Sequence, residues 1–283
     1  MPDRLIGARL GGRYNVESLL GVGGMGAVYL ARDAVGQRAV ALKVIRHELL
    51  EDGDLLPRLR REARAASRID NPHITRILDF SLDGQAFLVM ERIEGPTLAA
   101  LLASEGYLPV PRALGILGQI AEGLAAAHAC QVIHRDLKPG NVVLTRRQGQ
   151  EDFVKILDFG LAKIIDPTGS SVLTPMGQTF GTVEYISPEQ ACDLDLDHRA
   201  DIYSLGVVAF EMLTGQVPFT GGVVDVVAAH VHAPPPALAD LAPEEQDISP
   251  ELEALVGRCL AKQPDERYDS AQELQRVIQA LPG

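Results

Sequence analysis

The chain contains no tryptophan and only three cysteines in 283 residues, Cys130, Cys192 and Cys259. An odd number, widely spaced and without CxxC or Cys/His zinc spacing, argues against a disulfide framework and for reduced, buried thiols. His230 and His232 flank Val231 with no third ligand in view, so they are read as a loop pair rather than a metal site. Excess positive charge is also missing: the net charge is −12 and the pI about 5.0. That balance argues against a nucleic-acid partner and against attraction to anionic membranes. A nucleotide ligand would need a local positive site, helped by metal ions. No apolar run approaches the ~20 residues of a membrane helix, and MPDRLIGARL is not a signal peptide. A soluble, cytoplasmic protein is expected, membrane-tethered only if the natural chain extends beyond residue 283.

What the chain does have is core material, with 46% hydrophobic and 23% charged residues. Its length suits one large domain or two modest ones. From Tyr14 to Glu91 short apolar runs (VESLL, AVYLARD, AVALKVI, TRILDF, AFLVM) alternate with Gly, Asp and Asn turns, as strands should. One helix, Leu55 to Ile69, interrupts them, with Pro57 near its start. After GPTL (95–98) the pattern turns helical: Pro111 to Cys130 is amphipathic, and Asp201 to Thr214 is apolar on most faces, with Gly215 as its stop. HAPPPALADLAPEEQDISP (232–250) reads as a Pro-rich surface loop, followed by two short helices. A small β-rich lobe and a larger helical lobe are expected, with the junction near 91–97.

Four candidate chemical elements follow in order. GVGGMGAV fits G-x-G-x-x-G-x-V as Gly21, Gly23, Gly26 and Val28. A dinucleotide fingerprint would open a helix here. This loop instead runs from strand to strand, so its backbone amides could cover phosphates; a mobile turn is the plain alternative. In VALKV, Lys43 lies among apolar neighbours where an unpaired ammonium is costly. Glu62 and nucleotide phosphates are its candidate partners, although Glu62 could equally pair with Arg58 one helical turn earlier.

HRDLKPGN, His134 to Asn141, concentrates polar chemistry beside an apolar dipeptide, and Asp158 follows on a DFG turn. Phosphoryl transfer needs metal ions on oxygen ligands, a positioned hydroxyl and neutralised charge. Asp136 would orient the hydroxyl and accept its proton, and Lys138 would offset phosphate charge. Asn141 and Asp158 would ligate Mg²⁺, a hard cation suited to such oxygens. Taken singly, Asp136 could cap a turn and Asp158 could be an ordinary loop acid.

Glycine loop, VALK, helix Glu, HRDLKPGN, DFG, SPE and a distal Arg, in this order, resemble the Hanks-type protein kinases, and bacterial Ser/Thr kinases most of all. The resemblance spans roughly residues 14 to 281. It implies an α+β, two-lobed fold after an extension at 1–13: an N-lobe over 14–93, the hinge ending at 94–96 and a C-lobe over 97–281. It implies that ATP lies between the lobes under Gly21, Val22, Gly23, Gly24, Gly26 and Val28, against Ala41. Met90 would be the gatekeeper, and the Glu91 and Ile93 backbones would bond adenine. Lys43 with Glu62 would be the ion pair aligning the phosphates, with Mg²⁺ or Mn²⁺ as the metal. The acceptors implied are protein Ser/Thr hydroxyls; an N-lobe homodimer is a family-level expectation. A nucleotide-binding scaffold without transfer is the alternative reading, although Lys43, Glu62, Asp136, Asn141 and Asp158 are all present.

The resemblance also implies supporting roles. Thr182 would bridge Asp136 and Lys138, Glu189 would pair with Arg267, and Asp201 would hold the catalytic loop by its backbone or simply cap a helix. Arg135, Arg58 and Lys163 would form a pocket for an activation-loop phosphate. Arg58, Arg61 and Arg68 also follow helical spacing, so part of this stripe could be a solvated face. Thr174 is expected as the main phosphosite and Thr179 as the lesser, ahead of Ser170 and Ser171. Met176 departs from the relatives' second threonine, and Ser187 stands where Ala is usual before Pro-Glu.

Overall fold

A computed structural model of the chain describes residues 2–24, 26–46, 55–82, 84–159 and 183–281, without the side chains of 2, 3, 55, 56 and 58. Its N-terminal part is an antiparallel sheet in the order β1-β2-β3-β4-β6-β5. The strands are β1 (Arg9–Leu10), β2 (Tyr14–Gly23), β3 (Gly26–Asp33), β4 (Ala39–Ile45), β5 (Ile77–Ser81) and β6 (Phe87–Glu91). Alternation sorts their side chains to two faces. Tyr14, Val16, Tyr29, Val40, Leu42 and Phe87 form one small core. Ile45, Leu82 and Leu88 form another beneath Leu59 and Ala63 of α1 (Leu55–Ala66).

The glycine-rich stretch is the β2–β3 hairpin, with Gly23 opposite Gly26 and Gly21 opposite Val28. A side chain at Gly26 would overlap the Val44 carbonyl oxygen on β4, so the strand approach itself requires glycine there. α1 ends at Ala66 rather than at Ile69. The chain leaves the helix there through short turn bonds, Arg68 N–H to the Ala65 carbonyl and Ile69 N–H to the Ala66 carbonyl.

After the junction come α2 (Leu98–Glu105), capped by Thr97 Oγ1 on the Ala100 amide at 3.1 Å, and α3 (Val110–Ala129). The hairpin of β7 (Val142–Arg147) and β8 (Gln150–Ile156) follows, then the short α4 (Pro188–Ala191) and α5 (Arg199–Thr214). All but two of the sixteen α5 residues are buried, as its unbroken apolarity predicts. Gly215 ends it in a left-handed conformation (φ 78°), donating to the Glu211 carbonyl at 2.8 Å. α6 (Val223–His232), α7 (Leu238–Leu241), α8 (Pro250–Cys259) and α9 (Ala271–Ala280) complete the chain, and α9 packs on α3.

Four details differ from the expectations. Of the three cysteines Cys259 is buried, but Cys130 and Cys192 are exposed because they cap the C-terminal ends of α3 and α4. α5 begins two residues before Asp201, which therefore lies in its first turn instead of capping it. His230 and His232 lie in a helix, not a loop, because Val223 to His232 has an apolar face that Val183 and Phe219 cover. The Pro-rich stretch contains the short α7, whose Leu238 is buried. The lobes are joined by more than the hinge: Ile156 exchanges backbone bonds with His73 and Thr75 at 2.8 and 3.0 Å.

Candidate active site

The catalytic loop is held from below by one buried carboxylate. Asp201 accepts from the backbone amides of His134 at 2.7 Å and Arg135 at 2.8 Å, and from His128 Nε2 at 2.8 Å. Burial would raise its pKa, but the His128 hydrogen bond and the neighbouring positive groups outweigh this and hold it below the usual range. Those bonds help fix Arg135 at φ 67°, a strained backbone for a non-glycine residue. His134 Nε2 bonds the Leu157 carbonyl at 2.8 Å, and its ring meets Phe159 edge-on at 4.8 Å. The DFG turn is thereby seated on the catalytic loop.

Asp136, Lys138 and Asn141 come together as the sequence predicts. Lys138 Nζ donates to Asp136 at 3.0 Å. Asn141 Nδ2 donates to the Asp136 carbonyl at 2.7 Å and to its Oδ2 at 3.0 Å. Both bonds use the Asn141 nitrogen, so its oxygen is left to accept or to ligate. Leu157 N–H bonds the Asn141 carbonyl at 2.8 Å, which brings the Asp158 turn beside the same loop. No cluster of three His, Cys, Asp or Glu suited to a metal occurs among the described residues. The donor set here is one carboxylate and one amide oxygen, which suits Mg²⁺ because that ion usually completes its shell with water and phosphate.

Lys43, on β4, is buried as expected, but its partner differs. Its Nζ lies 2.9 Å from Asp158 Oδ2, and the expected Lys43–Glu62 ion pair is not formed. Glu62 is half-buried on α1 and makes no ion pair or side-chain hydrogen bond among the described residues. The reason is local. A buried ammonium must find an anion, and Asp158 reaches it while α1 leaves Glu62 short of it. Asp158 itself has φ 57°, a conformation Asp tolerates better than most residues.

Ala41 and Met90 lie opposite one another on β4 and β6, and Met90 is buried. The Glu91 amide donates to the Arg76 carbonyl at 3.0 Å. Among the described residues the Ile93 amide makes no hydrogen bond, so it is open to a ligand. The sequence reading missed Lys155. This buried side chain on β8 reaches Glu91 Oε1 at 2.6 Å and the Ile74 carbonyl at 3.3 Å. The same Glu91 oxygen accepts from the Arg76 amide at 2.9 Å, so one pair ties the hinge to the strand leading into Asp158. A lysine three residues before an aspartate carries no periodic signal that could have revealed it.

Beyond residue 182 the chain is braced against the C-terminal helices. Glu189 and Arg267 form a bidentate pair at 2.7 and 2.8 Å with no solvent exposure at the Arg267 side chain. Arg267 also donates to the carbonyls of Ala261, Arg199 and Lys262, so all five of its N–H groups are used. Tyr185 donates to Glu211 at 2.6 Å, and Ser204 Oγ donates to the Tyr185 carbonyl at 2.8 Å.

His230, read from sequence as half of a loop pair, is fully buried here. Its Nε2 meets the Glu184 carbonyl at 3.0 Å, and its Nδ1 meets Tyr203 Oη at 2.9 Å. A carbonyl only accepts, so Nε2 carries the proton and Tyr203 donates to Nδ1. Burial and the Lys262 charge push the imidazole down to about 4. Helical periodicity over 223–232 was the signal that could have found it.

Several expected residues lie outside the described ones: Lys163, Ser170, Ser171, Thr174, Met176, Thr179, Thr182 and the Arg58 side chain. Arg135 is described, and its Nε is buried without a partner among the described residues. Ser187, the departure before Pro-Glu, caps α4 through a reciprocal bond with Gln190.

Comparison with known proteins agrees with this geometry. The chain is 41% identical over 283 residues to the serine/threonine-protein kinase pkn3 of Myxococcus xanthus, covering 99% of this chain and 52% of that protein. It is 39% identical over 270 residues to the serine/threonine-protein kinase PknE of Mycobacterium bovis, covering 95% and 46%. The chain thus spans about half the length of these curated relatives. Among solved structures, the Mycobacterium tuberculosis PknI kinase domain superposes with a TM-score of 0.74 at 27% identity, covering 97% of both chains. With residues 14–277 also matching the family's own pattern, the chain belongs to the protein kinase domain family.

Proposed function

We propose that the protein transfers the γ-phosphate of ATP to serine and threonine hydroxyls of proteins, its own activation segment included. The observation that carries this reading is Asp136 held between Lys138 and Asn141 on a loop fixed by Asp201. Asp136 aims a carboxylate at an incoming hydroxyl and accepts its proton, and Lys138 offsets the charge on the transferring group. Asn141 and Asp158 would hold Mg²⁺ or Mn²⁺, which supplies charge neutralisation at the phosphate oxygens. Lys43 already places a cation beside Asp158, so that carboxylate suits a cationic partner. The Met90–Ile93 backbone would take adenine, beneath the Gly21–Val28 hairpin.

The catalytic domain would run from 14 to 281, with the hinge ending at 94–96. Thr174 and Thr179 would take the activating phosphates, which Arg135, Arg58 and Lys163 would bind. The N-lobe would form the homodimer contact. One observation favours a second reading, a nucleotide-binding scaffold: Glu62 does not engage Lys43. Incubating the chain with labelled ATP and Mg²⁺ beside Asp136→Asn separates the two. The expected outcome is phosphothreonine on the unaltered chain and a rate lower by roughly 10²–10⁴-fold in the variant. Equal incorporation by both would remove Asp136 from the mechanism. Nucleotide binding without transfer by either, even onto a basic-protein substrate, would establish the scaffold.

A further inference from the structure

The outer face of α1 is the strongest concentration of positive charge on a protein whose net charge is −12. The helix contains Arg58, Arg60, Arg61 and Arg64 with a single acid, Glu62, and Arg68 follows one turn later. Burial divides the helix cleanly. Leu59, Ala63 and Ala66 pack inward, whereas Arg60, Arg61, Arg64 and Arg68 are exposed. Those four line a cavity of about 650 Å³ whose apolar contribution comes from Pro57, Ala65 and Leu82.

Arg61, Arg64 and Arg68 make no ion pair among the described residues. Like charges three and four residues apart on a helix repel each other. An anionic ligand would relieve that repulsion. The shape narrows its class. Arg61 and Arg64 lie one helical turn apart on α1 and Arg68 follows past its end, so the arginines succeed one another along the face instead of gathering around one small anion. Guanidinium forks match phosphate oxygens in pairs. An extended peptide places residues i and i+2 about 7 Å apart on one face, so it can present anionic groups to successive arginines, and its apolar side chains would meet Pro57, Ala65 and Leu82.

We propose that this face of α1 docks an acidic protein segment carrying phosphoserine or phosphothreonine. Such segments are the products of the proposed reaction, so the source of the ligand rests on that reading, although its binding does not. The consequence for the site is direct. α1 also carries Glu62, which does not reach Lys43 in this arrangement, so a ligand that grips the outer face of the helix acts on the element that must move to form that pair.

The test uses the full chain with Asp136→Asn, so that transfer cannot alter the probe. A fluorescein-labelled Asp/Glu-rich peptide carrying two phosphoserines is titrated in low salt and followed by anisotropy. Combined Arg61→Gln, Arg64→Gln and Arg68→Gln should weaken binding about tenfold or more, a change of ~1.4 kcal/mol. Removing the phosphates should weaken it similarly. Arg146→Gln, an exposed arginine on β7 paired with Glu151, should leave it unchanged, and excess ATP should not displace the peptide. Gln is a good helix former; thermal unfolding verifies the fold, and Arg64→Glu alone repeats the test if the triple variant is unstable. No binding, equal affinity in the arginine variants, or equally tight binding of the dephosphorylated peptide or a single-stranded oligonucleotide would overturn the proposal.

Discussion

On the C-lobe side of the cleft, Asp201 accepts three hydrogen bonds, Arg267 uses all five donors, and His230 satisfies both ring nitrogens. On the N-lobe side, Lys43 is bound across the cleft to Asp158, and Glu62 has no partner among the described residues. Polar groups buried and fully bonded resist displacement, because each lost bond leaves an unsatisfied charge in low dielectric. A half-buried carboxylate on one helix can be repositioned with little loss. On the proposed reading, the rigid half would carry the reacting geometry, and the adjustable half would carry the Lys43–Glu62 pairing to be completed before transfer.

That contrast can be broken most severely at Arg267. Arg267→Met leaves Glu189 charged and buried, which should destabilise the fold by about 3–5 kcal/mol, read as a fall in the denaturant midpoint. A shift below ~1 kcal/mol would mean that the pair is not the brace described here. Glu62→Gln should do the reverse. Because Glu62 makes no bond here, the midpoint should move by less than ~0.5 kcal/mol, while the transfer rate falls by ~10²-fold from lost alignment. Equal losses in stability and rate would place both halves in the same class.

Lys155→Met tests the link between them. It should raise the KM for ATP more than it lowers kcat, since it frees Glu91 at the hinge. An unchanged KM would confine Lys155 to packing.

His230 offers a pH-dependent test of the rigid half. Its folded value of about 4 lies below the unfolded 6.5. The neutral ring therefore contributes stability that is fully present above 6.5 and is lost as pH falls from there toward 4. His230→Gln keeps an N–H for the Glu184 carbonyl and does not titrate, so its stability should decline less over that window. Parallel pH profiles for both proteins would show that His230 does not govern the decline.

Much of the site was legible because its residues sit within short stretches. HRDLKPGN places Asp136, Lys138 and Asn141 within six positions, and the backbone between them can adopt few arrangements that keep them apart. The strands and α5 were legible from periodicity, since solvent sorts apolar residues the same way wherever they occur. Lys155–Glu91 and His230–Glu184 were not legible, because each joins residues 64 and 46 positions apart and rests on how elements pack. The α1 stripe was visible as spacing, but only burial separated its inner from its outer face.

The amino-acid order by itself determined the glycine-rich hairpin, the HRDLKPGN loop and the apolar helix beneath it, because local sterics and hydrophobic burial act within a few residues. Tertiary structure alone decided which anion Lys43 holds. Glu62 and Asp158 carry the same charge and are both available in the sequence, but Coulomb attraction falls with distance. The packing of α1 against the sheet sets that distance, and here it favours Asp158.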